Sequence, residues 1–256
     1  MACTISREEI ARVKGLGFLN NKGTDFFNGR IITRNGKITA TELRNIAEAA
    51  EKFGNGEVVF TTRLTVEIRE VHFDDIEPMC EFLAQKELST GGTGAKVRPV
   101  VSCKGTTCQY GLYDTFALSE KIHERFYVGY HDVKLPHKFK IATGGCKNNC
   151  VKPDLNDLGI IGTRTKEEGA AGVPAFKVCI GGRWGKKTAQ GRPLSKIFIS
   201  EAEVLDVVEK AILFFKENGL ERERFADTIE RIGFEEVEKQ LLSNDLLERK
   251  EQILNS

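Results

Sequence analysis

Two pairs of cysteines carry the densest chemistry in this sequence. Cys103-Lys-Gly-Thr-Thr-Cys108 and Gly144-Gly-Cys146-Lys-Asn-Asn-Cys150 hold four of its seven cysteines, with 37 residues between the pairs. Thiolates ligate metals, and four and then three intervening residues let the two sulfurs of each pair converge on one centre. A helical turn through 146–150 would set Cys146 and Cys150 on the same face. Amides at the start of such a helix would favour thiolate over thiol. Gly144 and Gly145 let backbone approach a bulky inorganic group with no Cβ in the way. Three readings fit four sulfurs of this spacing: structural zinc, a four-iron cluster, or two disulfides in an oxidising compartment.

A second group of residues is cationic. Lys138 and Lys140 flank Phe139, so the period of two puts both lysines on one strand face, with Phe139 and Ile141 on the other. Arg63, in Phe60-Thr-Thr-Arg63-Leu-Thr, is placed on a strand face opposite an apolar row, ordinarily a solvated position. Gly181-Gly-Arg183-Trp-Gly185-Lys-Lys suits either a plain turn or an anion-binding nest. It does not spell a P-loop, and no G-x-G-x-x-G follows a strand. His123 reads as an ordinary helical histidine, while His137 stands beside the lysine pair as a minor candidate. Cys80 reads as core packing, and Cys3 and Cys179 have no paired partner nearby.

The wording of the whole stretch goes further than its spacing. Cys103…Cys108, then Gly-Gly-Cys146-Lys-Asn-Asn-Cys150, preceded by Leu135-Pro-His-Lys138-Phe-Lys140, resembles the siroheme-dependent sulfite and nitrite reductase family. The first pair departs from the family pattern, which has five intervening residues where this chain has four. The resemblance implies a 4Fe–4S cluster on Cys103, Cys108, Cys146 and Cys150, with Cys150 shared between cluster and siroheme. Siroheme carries many carboxylates, and Asn148, Asn149 and Arg183 are candidate partners for it. Thr-Thr-Arg63, Arg98 and the Lys138/Lys140 pair match the family's substrate-binding cations. The implied reaction is the six-electron reduction of sulfite to sulfide, with reduction of nitrite to ammonia as the alternative. A siroheme-free iron–sulfur electron carrier or redox sensor is a reading of another class, and a zinc-stabilised binding module a third. Neither has a use for Arg63, Arg98, Lys138 and Lys140 as a set.

Composition bounds the rest. At 256 residues the chain supports one large domain or two small ones. Its 38 basic and 37 acidic residues leave a net charge of +1, which gives no general reason to expect nucleic acid as a partner. No apolar run is long enough to span a bilayer. An odd cysteine count without an apolar leader points to a reducing cytoplasm. With no flavin or nicotinamide motif, electrons are expected from a separate donor protein. Larger family members carry two tandem repeats and this chain one, so a homodimer is expected.

The elements that must position these residues follow from periodicity and caps. Residues 1–25 are weakly patterned, and a strand is expected over 26–33, with a turn at Asn35-Gly36. Thr39 and Glu42 form a capping box for a helix with Leu43, Ile46, Ala47, Ala50 and Phe53 inward. Alternation over 58–68 predicts one long strand, followed by a helix over 74–86 and a strand over 97–102. Further on, helix is expected over 113–127, strands over 138–142 and 173–180, and a helix capped by Ser200 and Glu203. Two more helices are expected over 221–233 and 235–242. The fold class is α+β, a ferredoxin-like half-domain (1–95) followed by an α/β siroheme and 4Fe–4S domain (96–218) and a C-terminal helical segment (219–256).

Overall fold

The computed structural model describes residues 4–165 and 171–256, so Cys3 lies outside the described residues. The chain divides into two compact units, 1–94 and 95–256. In the first, Ser6 caps α1 (Arg7–Gly15) by accepting the Glu9 N–H. There follow β1 (Phe18–Asn20), β2 (Phe26–Ile31), α2 (Ala40–Phe53), β3 (Val58–Phe60), β4 (Val66–His72) and α3 (Ile76–Ala84). The strands form an antiparallel sheet in the order β1-β2-β4-β3. Val13, Phe18, Phe27, Ile46, Ile68 and Met79 meet in one core, so all three helices bury apolar side chains against the sheet. Sequestering these side chains is the main stabilising force of so small a unit.

Asn35-Gly36 turns as expected, with φ of 60° and 85° and Lys37 N–H bonded to the Arg34 carbonyl at 2.9 Å. The capping box of α2 is present, with Gly54 at its end. Its buried stripe is Ile46, Ala49, Ala50 and Phe53; Leu43 and Ala47 are exposed. Residues 1–25 hold α1 and β1, which the glycines there concealed. The single strand over 58–68 is in fact a hairpin. Val58 pairs with Ile68 and Phe60 with Val66, and the chain reverses through Thr61–Thr65. Threonine hydroxyls make this turn without Gly, Pro or Asn. The Thr61 Oγ1 accepts N–H groups from Arg63 and Thr65, and Leu64 takes a φ of 60°.

The second unit is built on a five-stranded mixed sheet: β5 (Val101–Ser102), β6 (Ile141–Gly144), β7 (Leu158–Arg164), β8 (Pro174–Ile180) and β9 (Arg192–Phe198). β5, β6 and β7 are parallel, and β8 and β9 continue antiparallel. β7 is the central strand, and no alternation announced it. Leu158 to Ile161 are buried without a break, as in a strand covered on both faces. α4 (Thr115–Ile122) runs into a wider helical turn over His123–Val128. α5 (Glu201–Asn218) carries the expected capping box and buries Val204, Val208, Ile212 and Phe215. α6 (Phe225–Ile232), α7 (Phe234–Leu242), α8 (Asp245–Glu248) and α9 (Lys250–Leu254) complete the unit. On α5 the buried Glu209 accepts from the Tyr130 hydroxyl, Arg125 and, at 2.8 Å, Lys250, which ties α9 down.

Candidate metal centre and anion site

Both cysteine pairs sit at the carboxyl ends of parallel strands. β5 ends at Ser102, and Cys103 follows at once; a tight turn over Gly105–Thr107 then closes with Cys108 N–H on the Gly105 carbonyl at 2.9 Å. β6, its neighbour, ends at Gly144, and Gly145-Cys146 follow. Parallel register therefore delivers the two pairs to one edge of the sheet. The Cys103 Sγ accepts the Gly145 N–H at 3.1 Å and the Gly105 N–H at 3.5 Å. A Cβ on Gly145 would stand 3.5 Å from that sulfur, and one on Gly162 of β7 would collide with the Gly145 carbonyl. Bare backbone at Gly162 is what lets β7 close against the turn that carries Cys146.

The helical turn expected at 146–150 is absent. Asn149 takes a φ of 56° and Lys152 a φ of 50°, so the chain reverses there as a turn, and no helix begins between Cys146 and Cys150. The left-handed conformation suits asparagine, whose Nδ2 donates to Asp154 Oδ1 at 2.7 Å. Amides still reach a sulfur of the two pairs, but they are those of Gly105 and Gly145 on Cys103. Hydrogen bonds to ligand sulfurs tune the potential of iron–sulfur centres.

Six of the seven cysteines fall among the described residues and all six are unpaired; Cys103, Cys108 and Cys146 are half-buried and Cys150 is exposed. Among the described residues no three His, Cys, Asp or Glu side chains converge so as to hold a single metal ion. A 4Fe–4S cube takes four thiolates around a body larger than one ion, so fit here means four thiols ringing a space with no Cβ in it. The turns after β5 and β6 carry four free thiols, and bare backbone at Gly145 on the second turn reaches one of them, Cys103 on the first. Asn148 lines, with Cys146, Lys147, Tyr110, Thr163 and Arg164, a cleft of about 300 Å³ beside the second pair. The Asn149 Oδ1 is buried without a hydrogen-bond partner.

The cations of the second unit are assembled by one strand. Lys138-Phe139-Lys140 leads directly into β6, with Phe139 buried between Phe215 and Phe225 at ring distances of 5.9 and 5.2 Å. Lys138 and Lys140 are half-buried, on the alternate positions. The strand itself begins at Ile141, later than expected, because only Val97 bridges Phe139 before β5 starts. That bridge places Arg98 alongside, its N–H on the Phe139 carbonyl at 2.8 Å. Burial, then the charges of Lys138, Arg224 and Arg98, hold the His137 imidazole below its usual range. Arg224 is a cation that sequence reasoning missed.

Arg224 is bound to Asp157, which is fully buried: Nη2 reaches its two oxygens at 2.9 and 3.0 Å. Burial pushes the Asp157 carboxyl up, against the pull of Arg224 and of the Lys140 amide. Arg183 is engaged from α6. Its Nη1 pairs with Asp227 at 2.7 Å, and it lines a separate cleft of about 440 Å³ with Gln190, Arg192, Ile229 and Phe234. Arg63 belongs to the first unit, half-buried in the hairpin turn between β3 and β4 and not on a sheet face.

Comparison with known proteins gives the family. Residues 93–250 match the family described as nitrite and sulphite reductase 4Fe-4S domain, and residues 20–86 match the nitrite/sulfite reductase ferredoxin-like half domain. The chain belongs to the nitrite and sulphite reductase family, and its cofactors are a 4Fe–4S cluster and siroheme. It is 26% identical over 260 residues to the coenzyme F420-dependent sulfite reductase of Methanocaldococcus jannaschii, covering 80% of this chain and 41% of that one. It is also 26% identical over 209 residues to the assimilatory-type sulfite reductase of Nitratidesulfovibrio vulgaris, covering 81% and 88%. The solved structure of the Mycobacterium tuberculosis NirA protein shares the fold, with a TM-score of 0.79 at 20% identity over 93% of this chain and 48% of that one. The chain spans less than half the length of the first curated relatives it matches.

Proposed function

We propose that this protein reduces sulfite to sulfide at siroheme, with electrons delivered through a 4Fe–4S cluster held by Cys103, Cys108, Cys146 and Cys150. The observation that carries this reading is the span of one short strand. β6 has Lys138 and Lys140 just before its start and Cys146 just after its end. Its four residues cover about 13 Å at the usual rise, so an anion held by the lysines stands within reach of a cofactor anchored at the cysteines. Siroheme supplies the electron-rich iron at which sulfur–oxygen bonds break.

The residues of the chain supply the rest. Sulfite carries up to two negative charges, and one cation at about 4 Å contributes about 4 kcal/mol at an effective dielectric near 20. Arg98, Lys138 and Lys140 together offset the dehydration of such an anion. Arginine offers a fixed fork to an oxyanion. The lysines deliver protons as three oxygens leave as water. This density of positive charge suits sulfite better than the singly charged nitrite. The exposed Cys150 is the sulfur assigned to both cluster and siroheme, and Asn148 and Asn149 are assigned to the siroheme periphery. Arg183 is assigned there on its loop chemistry, and Arg63 to the anion on its motif. A separate electron-donor protein and a homodimeric assembly complete the proposal. Size measurement in solution tests the dimer; a strictly monomeric, fully active protein overturns it.

The test of function is the purified holoprotein driven by reduced viologen. Haem-like visible bands with sulfite consumed and sulfide formed, faster than nitrite at equal concentration, support the proposal. Faster nitrite turnover assigns nitrite instead, and a cluster spectrum without haem-like bands reduces the protein to an electron carrier.

A further inference from the structure

The anion-site reading leaves open what holds the lysine pair in place, and the following inference rests on that reading. Lys140 is pinned from both sides by adjacent residues. Its N–H donates to Asp157 Oδ2 at 2.9 Å, and its carbonyl accepts the Leu158 N–H at 3.1 Å. Asp157 is itself fixed, because its own carbonyl accepts the Gly181 N–H at 2.9 Å and both its carboxylate oxygens accept from Arg224 Nη2. Arg224 caps the start of α6, its carbonyl accepting from Asp227 and Thr228 at 2.8 and 3.0 Å. Two residues earlier, Arg222 N–H donates to the Pro136 carbonyl at 3.0 Å. Pro136, Arg222, Arg224, Asp157 and Lys140 therefore close a ring of contacts around His137-Lys138-Phe139.

A buried ion pair is a poor source of net stability, since apolar residues of the same volume often serve as well or better. What it does supply is direction. A carboxylate with two guanidinium contacts and one backbone amide has a single orientation. That orientation sets the Lys140 peptide, and through it the alternation that puts Lys138 and Lys140 on the same side. Asp157 also pairs with the Arg224 charge, which leaves Arg98 and the lysines to the anion. We propose that Asp157 and Arg224 are positioning residues for the Lys138/Lys140 pair.

The test uses the holoenzyme with Asp157→Ala, Asp157→Asn, Arg224→Gln and Arg224→Lys, and three measurements. Amide hydrogen exchange over residues 135–142 is expected to speed up about tenfold or more in Asp157→Ala and Arg224→Gln. Asp157→Asn, which keeps an acceptor oxygen, and Arg224→Lys, which keeps the charge, are expected to recover part of the protection. The KM for sulfite is expected to rise about tenfold in Asp157→Ala, equivalent to about 1.4 kcal/mol, with kcat falling less and cofactor spectra retained. In a Lys140→Ala background the same change should cost less than about twofold, because the two act as one unit. Wild-type exchange and KM in Asp157→Ala, or a full additive loss in the Lys140→Ala background, overturns the positioning role. If Lys140→Ala alone leaves the sulfite KM unchanged, the anion-site reading fails instead. The exchange arm still decides positioning in that case, and Arg224→Lys decides it where Asp157→Ala does not fold.

Discussion

The Sγ of Cys103 accepts the N–H of Gly145 at 3.1 Å, joining the two cysteine pairs across 42 positions of chain. The contact exists because β5 and β6 are parallel neighbours, and each ends just before its pair. The two cysteine pairs are thereby brought side by side by strand register. The same register explains why glycine occupies 162: the third parallel strand presses on the Gly145 carbonyl, beside the turn that carries Cys146.

Gly162→Ala tests that packing. The added methyl meets the Gly145 carbonyl, so the cysteine turn must shift. Overpacking of this kind costs about 1–3 kcal/mol. The expected outcome is a lower unfolding temperature together with reduced iron and acid-labile sulfide. Full cluster content and unchanged stability in Gly162→Ala would contradict the role given to this contact.

Lys138→Ala and Lys140→Ala should leave the cofactor spectra nearly intact while sulfite kcat/KM falls by about a hundredfold, the worth of about 2.7 kcal/mol of lost transition-state stabilisation. Steady-state kinetics beside a visible spectrum checks both halves. Turnover at the wild-type rate in both variants removes the lysines from the site.

His137 gives a pH dependence with a definite sign. Its Nδ1 accepts the Lys138 N–H at 2.7 Å, and burial and neighbouring cations hold the folded imidazole below the ordinary value of 6.5. The unfolded chain therefore binds the proton first. The contribution to stability is complete above pH 6.5 and is lost as pH falls through the depressed folded value. Urea midpoints should decline on acidification from that point, by at most about 1.4 kcal/mol per pH unit from this one group. His137→Gln should flatten that part of the profile. An unchanged slope in His137→Gln assigns the titration to another group.

Residues whose chemistry is local could be read from the sequence. The Thr39/Glu42 and Ser200/Glu203 boxes, the Asn35-Gly36 turn and the cysteine pairs declare themselves through side chains acting on nearby backbone. The lysine pair was legible because Phe139 between them is apolar. What could not be read depended on distant partners. The 58–68 segment alternates well enough for one strand, and only the Thr61 and Thr65 hydroxyls, bonded to each other at 2.7 Å, show why it folds back. β7 lacked alternation because both its faces are covered. Asp157 and Arg224 lie 67 positions apart, and nothing near either residue signals the other. Arg183 was singled out because its loop is rich in glycine and lysine, and its pairing with Asp227 of α6 could not be read from that loop.

Cys150→Ser tests the central claim most directly. Among the four cysteines of the two pairs it is the exposed one, and it is the one assigned to both metal groups. Serine is a far poorer ligand at neutral pH, because a hydroxyl gives up its proton much less readily than a thiol. Iron, acid-labile sulfide and the visible spectrum are measured on the purified variant, with viologen-driven sulfite reduction alongside. The account predicts loss of activity with loss or decoupling of siroheme, whereas Cys80→Ser, remote in sequence from either pair, retains both cofactors. A Cys150→Ser protein with intact siroheme, cluster and rate would contradict it.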